Sequence, residues 1–468
     1  MNPTVIPGIC ETPIDKVFAR VNHERRSPSS FVREFKLDTI RLILSRLNNP
    51  HEKLNVIHIA GTKGKGSTAS FVARIGTELG LKTGIYSSPH FERYTERFSI
   101  NNQEVSEPRL NAVLAQVLTV VEQIDQEIAN GQIHLPPATF FDISTSAAFL
   151  LFCEEQVDLV ALEVGLGGRL DSTNVCRSIA TVITSISKDH TRLLGNKTTD
   201  IAKEKAAIIK SPVPSICGLT EDPVFQVISR RAQSQGSTLH RLDADFGPRN
   251  LTANSFSELT FDYVDPKQNQ NFKSLQINLL GEHQAYNAAL AIKSITEVLP
   301  KLGLDSPSPL EPAVRRALMS ISLKGRLEVI SSQPLLIADM AHNQASIAAL
   351  VSCLEKQLPD CKSQAIFSCS KDKDYESMLR PLIGYFDRLI LTEFQNNPRA
   401  QELGTLQQKC HQLNVEKLSV ECLSSTTPAK ALQKAMADSE KFELTVACGS
   451  IFLVGEILTA IESAPAID

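Results

Sequence analysis

The sequence lacks any long apolar run, and this absence excludes a helix that crosses a membrane. Residues 147–153 form one of the longest apolar runs, which stops far short of the roughly 18 residues that a span requires. Residues 1–16 have neither a basic start nor an apolar core segment, so we expect no secretory signal. The 42% hydrophobic and 21% charged residues are typical of a soluble globular protein, which we expect in the cytoplasm.

An excess of positive charge is also missing. The formal net charge is −4 and the isoelectric point is near 6.2, so the chain carries no electrostatic footprint for nucleic acid or an anionic membrane. We expect neither as a partner. The ten cysteines include no CxxC pair and no Cys/His cluster with zinc spacing, and we expect them to be reduced, partly buried thiols.

The 468 residues suggest two or three domains. From about residue 38, apolar runs typical of buried strands alternate with longer amphipathic segments. The strand candidates are residues 56–60, 157–164 and 179–186, and the helix candidates are residues 67–79 and 200–209. This alternation predicts an α/β fold with a mostly parallel sheet covered by helices. The proline-containing segment 100–140 is expected to be an excursion from the first domain.

The pattern changes after about residue 240. Residues 255–264 and 272–280 alternate as antiparallel strands do, and residues 281–299 are expected to be helical. A second α/β series follows, with strand candidates at residues 335–339, 364–368, 388–392 and 444–448. We therefore expect an N-terminal domain of residues 1–324 and a smaller C-terminal α/β domain of residues 325–468.

A glycine-rich segment lies between the first predicted strand and the helix after it. Its residues are Gly61, Thr62, Lys63, Gly64, Lys65, Gly66, Ser67 and Thr68. The glycines let the backbone approach phosphates with its N–H groups exposed, the helix dipole adds a positive end, and Lys65 can reach the outer phosphates. The strict GxxxxGK[ST] pattern is not met, because Gly66 separates Lys65 from Ser67. The segment predicts ATP binding, and a glycine-rich turn without a ligand is the alternative.

This variant, GT-x-GKG-[ST], resembles the Mur ligase superfamily and in particular its folylpolyglutamate synthase branch. Further blocks of that branch follow in order along almost the whole chain. They are SSPH at 87–90, TFFD at 139–142, EVGLGGRLDSTN at 163–174, DH at 189–190, EKA at 204–206, GEHQ at 281–284, GRLE at 325–328, AHN at 341–343 and DKD at 372–374.

The resemblance implies a P-loop domain like the Mur ligase central domain and a smaller, Rossmann-like C-terminal α/β domain. It also implies an ATP-dependent ligase that phosphorylates a folate carboxylate and joins glutamate to the acyl phosphate. Bacterial relatives often join dihydropteroate to glutamate as well. The expected partners are therefore small molecules, namely ATP, glutamate and a folate or dihydropteroate, and the chain is expected to act as a monomer.

Phosphoryl transfer onto a carboxylate brings two anions together, so divalent metal must neutralise them. By resemblance Ser88, Glu163, His190 and Lys205 are the magnesium ligands, and Lys65, Glu163, His190 and Lys205 form the catalytic set. Glu163 ends a predicted strand, where open α/β sheets place their ligands. Lys205 would ordinarily lie on a solvated helix face, but the resemblance implies a carbamate that binds the second magnesium. The expected cofactors are thus ATP and two Mg²⁺, with a monovalent cation as a further candidate.

The resemblance assigns nucleotide contacts outside the phosphate loop as well. Asn287 and Arg326 resemble contacts from the first domain and the linker. Asp339, His342 and Asn343 resemble second-domain contacts to the nucleotide and the reacting phosphate. Arginine suits a transferring phosphoryl group because its fork donates two hydrogen bonds at once.

Several residues depart from the family's pattern, among them Lys63 for Asn, Asp142 for Glu and Met340 for Gly, and none of these changes removes a proposed ligand. Three alternatives stay open. A muramyl-peptide ligase is disfavoured by the segments at 163–174 and 281–284. A P-loop NTPase that drives a partner would leave the second α/β domain without a purpose. A degenerate relative would bind nucleotide without turnover.

Overall fold

The computed structural model describes residues 12–22, 37–187, 195, 197–210, 212–219, 222–255, 258–304, 310–395, 397–415 and 420–463. The chain divides into two compact units. The first is drawn from residues 1–90, 94–244 and 290–313, and the second from residues 91–93, 245–289 and 314–468. Across the described ranges, no helix combines the length and apolar character that a membrane crossing needs.

The first unit is built around an eight-stranded sheet. Its strands are β1 (Val56–Ala60), β2 (Thr83–Tyr86), β3 (Phe98–Ile100), β4 (Gln103–Glu104), β5 (Leu159–Glu163), β6 (Ser178–Ile183), β7 (Ser215–Cys217) and β8 (Leu239–Arg241). The order is β4-β3-β2-β5-β1-β6-β7-β8. Six neighbouring strands of this order, β2-β5-β1-β6-β7-β8, run parallel. The β2–β3 and β3–β4 pairs at one edge are antiparallel. The predicted, mostly parallel sheet is confirmed, with β5 and β6 ending earlier than expected.

Helices cover this sheet. They are α1 (Pro13–Phe18), α2 (Asp38–Arg46), α3 (Lys65–Glu78), α4 (Glu107–Ala129), α5 (Phe140–Glu154), α6 (Thr198–Ala206) and α7 (Asp222–Ser234), while α8 (His283–Val298) and α9 (Leu310–Ser320) contribute to both units. The segment expected to be an excursion contains α4. Its buried residues recur at helical spacing from Leu110 to Ile124 and join the core that Phe149 of α5 and Val160 of β5 also form.

A buried ion pair lies within the first unit. Lys293 is fully buried, and its Nζ atom lies 2.7 Å from Oε1 of Glu297, one helical turn further along α8. His240 Nε2 lies 3.4 Å from Oε2 of the same carboxylate, so Lys293 is the closer partner. Burial alone would raise the pKa of Glu297, but the contacts with His240 and Lys293 outweigh it and lower that pKa to about 2.

The second unit contains two sheets. An antiparallel sheet consists of β9 (Gly247–Ser255), β10 (Glu258–Asp265) and β11 (Gln270–Ile277), in the order β11-β10-β9. A six-stranded sheet consists of β12 (Glu328–Ser332), β13 (Leu335–Ala338), β14 (Ser363–Phe367), β15 (Arg388–Leu391), β16 (Glu421–Ser424) and β17 (Leu444–Cys448), in the order β12-β13-β17-β14-β15-β16. Only the β12–β13 pair is antiparallel among the described pairs of this sheet.

Five helices belong to the six-stranded sheet: α10 (Gln344–Gln357), α11 (Tyr375–Tyr385), α12 (Leu403–Val415), α13 (Pro428–Ala437) and α14 (Ile451–Glu462). The predicted strands from 335 to 448 are confirmed as β13, β14, β15 and β17. Residues 245–289 group with this unit, although the sequence places them before the expected boundary at residue 325. The antiparallel sheet lies beside α10, since Leu259 of β10 and Cys353 of α10 line one cavity.

Candidate functional site

The glycine-rich loop follows β1 and leads directly into α3. Gly64 has a left-handed backbone with φ of 83°, a conformation that glycine adopts without strain. The loop is held by the residues that follow the neighbouring strand β6: Thr62 N donates to Ser185 O at 2.7 Å, and Lys63 N donates to Ser185 Oγ at 3.0 Å. Thr184 Oγ1 donates to Lys63 O at 2.6 Å. The loop conformation is therefore fixed by a second strand end.

The first turn of α3 supplies the groups that a phosphate needs. The helix begins at Lys65, and its first backbone N–H groups have no acceptor within the helix. They add to the positive end of the dipole of this 14-residue helix. Ser67 and Thr68 are buried in the same turn. This strand–loop–helix arrangement is a ready-made anion site.

Glu163 lies at the carboxyl end of β5, directly beside the loop. Strand β5 pairs parallel with β1, with Glu163 opposite Ile59. Lys65 Nζ lies 3.7 Å from Glu163 Oε1, and these side chains are only 17% and 6% exposed. The backbone N–H of Ser88, two residues after β2, donates to Glu163 Oε2 at 3.3 Å. Three strand ends thus bring a carboxylate, a lysine and a serine together.

This donor set fits magnesium, which takes one or two carboxylates together with hydroxyls, waters and substrate phosphates. In the part of the chain that the structure describes, no three His, Cys, Asp or Glu side chains converge in a metal cluster. The ligand set expected from the sequence is not a cluster of that kind, because it combines Glu163 and His190 with a serine, Ser88, and a lysine, Lys205. His190 lies outside the described residues.

Lys205 does not lie on the solvated helix face that its local sequence alone would favour. It is only 5% exposed, and its Nζ atom donates to the carbonyl of Gly61 at 2.8 Å. Lys203, two positions earlier on α6, is exposed instead and bonds Asp200 at 3.2 Å. The two lysines therefore lie on different helix faces, and Lys205 is the one that contacts the phosphate loop.

Gly168 explains how α6 comes so close to the loop after β5. A Cβ atom at this position would lie 2.6 Å from Glu204 O and 3.0 Å from Lys205 Cα. Both atoms belong to the helix backbone and cannot rotate away. The glycine therefore permits the contact, and Arg169 N adds a hydrogen bond to Glu204 O at 2.9 Å.

Asp171 organises the same loop. Its Oδ2 atom accepts the N–H of Leu166 at 2.7 Å, and its Oδ1 atom accepts the N–H and the hydroxyl of Thr173 at 3.0 and 2.5 Å. Burial raises the pKa of Asp171. His58 Nε2 lies 2.9 Å from Thr173 Oγ1. Because the threonine hydrogen goes to Asp171, His58 Nε2 carries the hydrogen of that contact.

Sequence reasoning missed His58 and Lys210. Burial lowers the pKa of His58 well below its usual value, so the ring is neutral at neutral pH. Lys210 Nζ donates to the carbonyls of Asn174 and Cys176 at 2.9 and 2.6 Å and so holds the end of the loop that begins after Glu163. The available signal was a histidine inside the apolar strand β1 and a lysine directly after Ile208 and Ile209.

Asp142, which stands where the family usually has Glu, has a structural role. It completes a capping box with Thr139 at the start of α5. Its second oxygen accepts the hydroxyl of Ser172 at 2.8 Å. The shorter side chain thus ties α5 to the loop that Asp171 organises.

The expected contacts of the second unit cluster around the start of α10. Asp339 follows β13, and its carboxylate accepts the N–H groups of Leu327 and Ala341, both at 2.8 Å. His342 Nδ1 lies 2.8 Å from Met340 O, and Asn343 caps α10. This arrangement also places the backbone of Arg326 beside Asp339.

The Arg326 turn has a left-handed backbone on both sides, with φ of 61° at Gly325 and 47° at Leu327. A Cβ atom at Gly325 would lie 2.7 Å from the ring of Phe91 and 2.8 Å from Met340 Cγ. Asn287, on α8, instead donates to Gln284 Oε1 at 3.1 Å. Five residues outside the phosphate loop are expected to contact the nucleotide. Four of them, Arg326, Asp339, His342 and Asn343, therefore lie in one region, whereas Asn287 pairs with Gln284.

A phosphate loop beside a strand-end carboxylate, followed by a second α/β unit, is the architecture expected of an ATP-dependent ligase of the Mur type. Comparison with known families agrees: residues 59–295 match the Mur ligase middle domain, and residues 326–460 match the dihydrofolate synthetase C-terminal domain.

Similarity to individual proteins shows to which branch of the Mur ligases the chain is related. The chain is 35% identical over 351 residues to the dihydrofolate synthase/folylpolyglutamate synthase of Bacillus subtilis (strain 168), covering 74% of this chain and 78% of the relative. It is 31% identical over 427 residues to the enzyme of the same name from Escherichia coli (strain K12), covering 91% of each.

Solved structures agree in fold. Mycobacterium tuberculosis folylpolyglutamate synthase, complexed with ADP and AMPPCP, has a TM-score of 0.82 at 28% identity and covers 92% of this chain and 96% of its own. E. coli FolC in complex with DHPP and ADP has a TM-score of 0.80 at 29% identity and covers 97% and 98%. The chain therefore belongs to the folylpolyglutamate synthase and dihydrofolate synthase family of the Mur ligase superfamily. It is an ATP-using ligase that acts on small molecules, and the muramyl-peptide alternative is not supported.

Proposed function

We propose that this enzyme adds L-glutamate to tetrahydrofolate, and to dihydropteroate as a second acceptor, through an acyl phosphate. The observation that carries the proposal is the 3.7 Å contact between Lys65 and Glu163 at the mouth of the phosphate loop. This contact places Lys65, the proposed cation for the outer phosphates of ATP, beside Glu163, the proposed carboxylate ligand of the metal. Similar proteins named for both activities, from B. subtilis and E. coli, support two acceptors.

The proposed role of the first unit is to hold ATP and its metal. The backbone of residues 61–68 binds the phosphates, and Lys65 reaches the outer ones. Glu163, Ser88, His190 and Lys205 hold Mg²⁺, two ions in all. When bound, the metal neutralises the charge that builds up between the phosphate and the acceptor carboxylate.

Lys205 has two proposed states. As an ammonium it fixes the phosphate loop through its 2.8 Å bond to Gly61 O. Next to Mg²⁺ an ammonium is repelled, whereas a carbamate supplies an oxygen ligand. The low exposure of Lys205 supports a specific role for it. Intact-mass measurement in bicarbonate, with a Lys205→Arg control, tests for the carbamate.

The proposed role of the second unit is to contact the nucleotide and the transferring phosphate. Arg326, Asp339, His342 and Asn343 carry this proposal, supported by their clustering at the N-terminal end of α10. Asn287 is proposed as a separate nucleotide contact. These groups orient the reactants and exclude water, which would otherwise hydrolyse the acyl phosphate. We further propose a monomeric, cytoplasmic enzyme, because all its proposed substrates are small solutes.

The test compares two lysines of one helix. Incorporation of labelled glutamate into tetrahydrofolate is measured for wild type, Lys205→Ala and Lys203→Ala. We expect Lys205→Ala to lose at least about 100-fold in kcat, because it removes a positioned group at the phosphates, and Lys203→Ala to match wild type. Equal rates for the two variants, or no glutamate incorporation by wild type, would contradict the proposal.

A further inference from the structure

His58 is a fully buried histidine in the middle of β1, three residues before the phosphate loop begins. The other four residues of this strand are apolar and buried. The ring makes a hydrogen bond from Nε2 to Thr173 Oγ1 at 2.9 Å, while Nδ1 is buried without a partner among the described residues. Because an unpaired buried nitrogen is costly, stability alone does not explain a histidine at this position.

The hydrogen bond of His58 is the first of a relay that ends in the loop after Glu163. Thr173 continues it, since its hydroxyl donates to Asp171 Oδ1 at 2.5 Å. The other oxygen of Asp171 accepts the N–H of Leu166 at 2.7 Å. Thr173 and Asp171 are buried, so water competes little for these bonds. The relay therefore ties the shape of this loop to strand β1.

The same loop is connected back to the phosphate loop through α6. Arg169 N donates to the carbonyl of Glu204 on this helix at 2.9 Å. The next residue of the helix, Lys205, donates to the carbonyl of Gly61 at 2.8 Å. Gly61 directly follows β1. The hydrogen bonds thus form a circuit that leaves the chain at His58 and returns to it three residues later.

We propose that His58 is a positioning residue of the ligase reaction, which acts through the Thr173 hydroxyl to hold Lys205 at the phosphate loop. This inference rests on the proposed function, because that function places Lys205 at the reacting phosphates. In this role His58 contacts neither the nucleotide nor the metal. It fixes the loop after Glu163 against the phosphate loop, and so fixes the geometry in which the phosphoryl group is transferred.

A core-filling role and a positioning role of His58 predict different results. If His58 only filled the core, its replacement would change the free energy of unfolding and leave kcat of the folded enzyme unchanged. A positioning role lowers kcat per folded molecule, because Lys205 moves while the enzyme stays folded. KM for ATP should stay within about twofold of wild type, since the phosphate loop keeps its backbone N–H groups and Lys65.

The test removes and restores single groups of the relay and measures ATP-dependent glutamate ligation per folded molecule. Thr173→Val removes the hydroxyl but keeps the branched shape, whereas Thr173→Ser keeps the hydroxyl. His58→Phe removes the N–H. His51→Phe is the matched control, since His51 is also a buried histidine of the first unit, with its ring 5.7 Å from that of Phe149. We expect His58→Phe and Thr173→Val each to lose about tenfold in kcat, and the other two variants to stay within about twofold of wild type.

A double variant and hydrogen exchange complete the test. Because the two groups belong to one relay, His58→Phe combined with Thr173→Val should lose no more kcat than either single variant. Amide exchange of residues 164–174, followed by mass spectrometry without any acceptor, should quicken in both single variants while the rest of the first unit keeps its rate. If exchange responds in this way but wild type joins no glutamate, the relay stands and the proposed function fails.

Thr173→Val carries the same test if His58→Phe does not fold. Three results would overturn the proposal. They are an unchanged kcat in Thr173→Val, an equal loss of kcat in Thr173→Ser, and exchange of residues 164–174 that responds to neither variant. Losses that add up in the double variant would also contradict it, because they would show that the two groups act separately.

Discussion

Replacing Gly168 by alanine tests whether the loop after β5 fixes the position of Lys205. The added methyl carbon would lie 2.6 Å from Glu204 O and 3.0 Å from Lys205 Cα, where about 3.4 Å is the ordinary limit. Both neighbours are backbone atoms, so relief requires a shift of α6 itself. Overpacking of this kind costs about 1–3 kcal/mol of stability.

Gly168→Ala should also lower kcat strongly. A shift of α6 by a substantial part of 1 Å lengthens the 2.8 Å bond between Lys205 Nζ and Gly61 O. Misplacing a positioning group by about 1 Å costs roughly 100-fold in rate. We therefore expect kcat of Gly168→Ala to fall by about that factor, measured as ATP-dependent glutamate ligation alongside urea unfolding.

Gly384 provides the matched control. It lies within α11, and a Cβ atom there would meet no atom within 4 Å. Gly384→Ala should leave kcat unchanged and stabilise the protein by about 0.5–1 kcal/mol, because alanine loses less entropy than glycine in a helix. If Gly168→Ala matches wild type in both kcat and stability, the described contact between the loop and α6 is refuted.

Three further predictions concern single groups. Glu163→Gln should lower kcat by about 100-fold or more with little change in stability, because Lys65 loses its carboxylate partner and the proposed magnesium loses a ligand. Lys210→Met should destabilise the protein by about 2 kcal/mol in urea unfolding, because two carbonyls of the loop after Glu163 lose a charged donor. Glu297→Gln should cost about 3–5 kcal/mol at pH 7, because it leaves the buried ammonium of Lys293 without its carboxylate.

The Glu297 prediction has a defined pH dependence. The pKa of Glu297 is lowered in the folded protein from its ordinary 4.5 to about 2. Its contribution to stability is therefore present above pH 4.5 and is lost as the pH falls from 4.5 towards 2. The difference in unfolding free energy between wild type and Glu297→Gln should shrink across that window. A constant difference from pH 7 to pH 3 would contradict the assignment.

Two residues of α6 provide controls for Lys210→Met and Glu163→Gln. Lys203→Met changes an exposed lysine of α6 and should leave stability within about 0.5 kcal/mol of wild type, unlike Lys210→Met. Glu204→Gln removes a carboxylate on the same helix whose ion pair with Arg169 is partly exposed, and it should keep most of the activity. Equal loss of kcat in Glu163→Gln and Glu204→Gln would remove the case for Glu163 as a metal ligand.

The sequence predicts the phosphate loop well because its causes are local. A buried strand, three glycines and a helix start follow one another within residues 56–68, so neighbouring residues alone define the loop. Glu163 is predictable for a related reason. The carboxyl ends of adjacent parallel strands meet at one edge of a sheet, and β5 pairs with β1.

The environment of Lys205 depends on tertiary packing and is not encoded locally. The alternating charges of residues 200–205 favour a solvated helix face, and Lys203 does lie on one. Lys205 is buried because Gly168 lets α6 approach the loop after β5, and because the carbonyl of Gly61 accepts its hydrogen bond. The family resemblance nevertheless named Lys205 as a site residue. It did not name His58 or Lys210, whose partners are also distant in sequence.

The most direct test of the proposed folate ligase activity is phosphate release from ATP with magnesium and glutamate, compared among tetrahydrofolate, dihydropteroate and UDP-muramyl acceptors. We expect release that requires a pterin acceptor and is lost in Glu163→Gln. The acceptor that supports turnover also shows whether one or both folate activities are present. Release without any acceptor, or with the muramyl acceptor alone, would contradict the proposed activity.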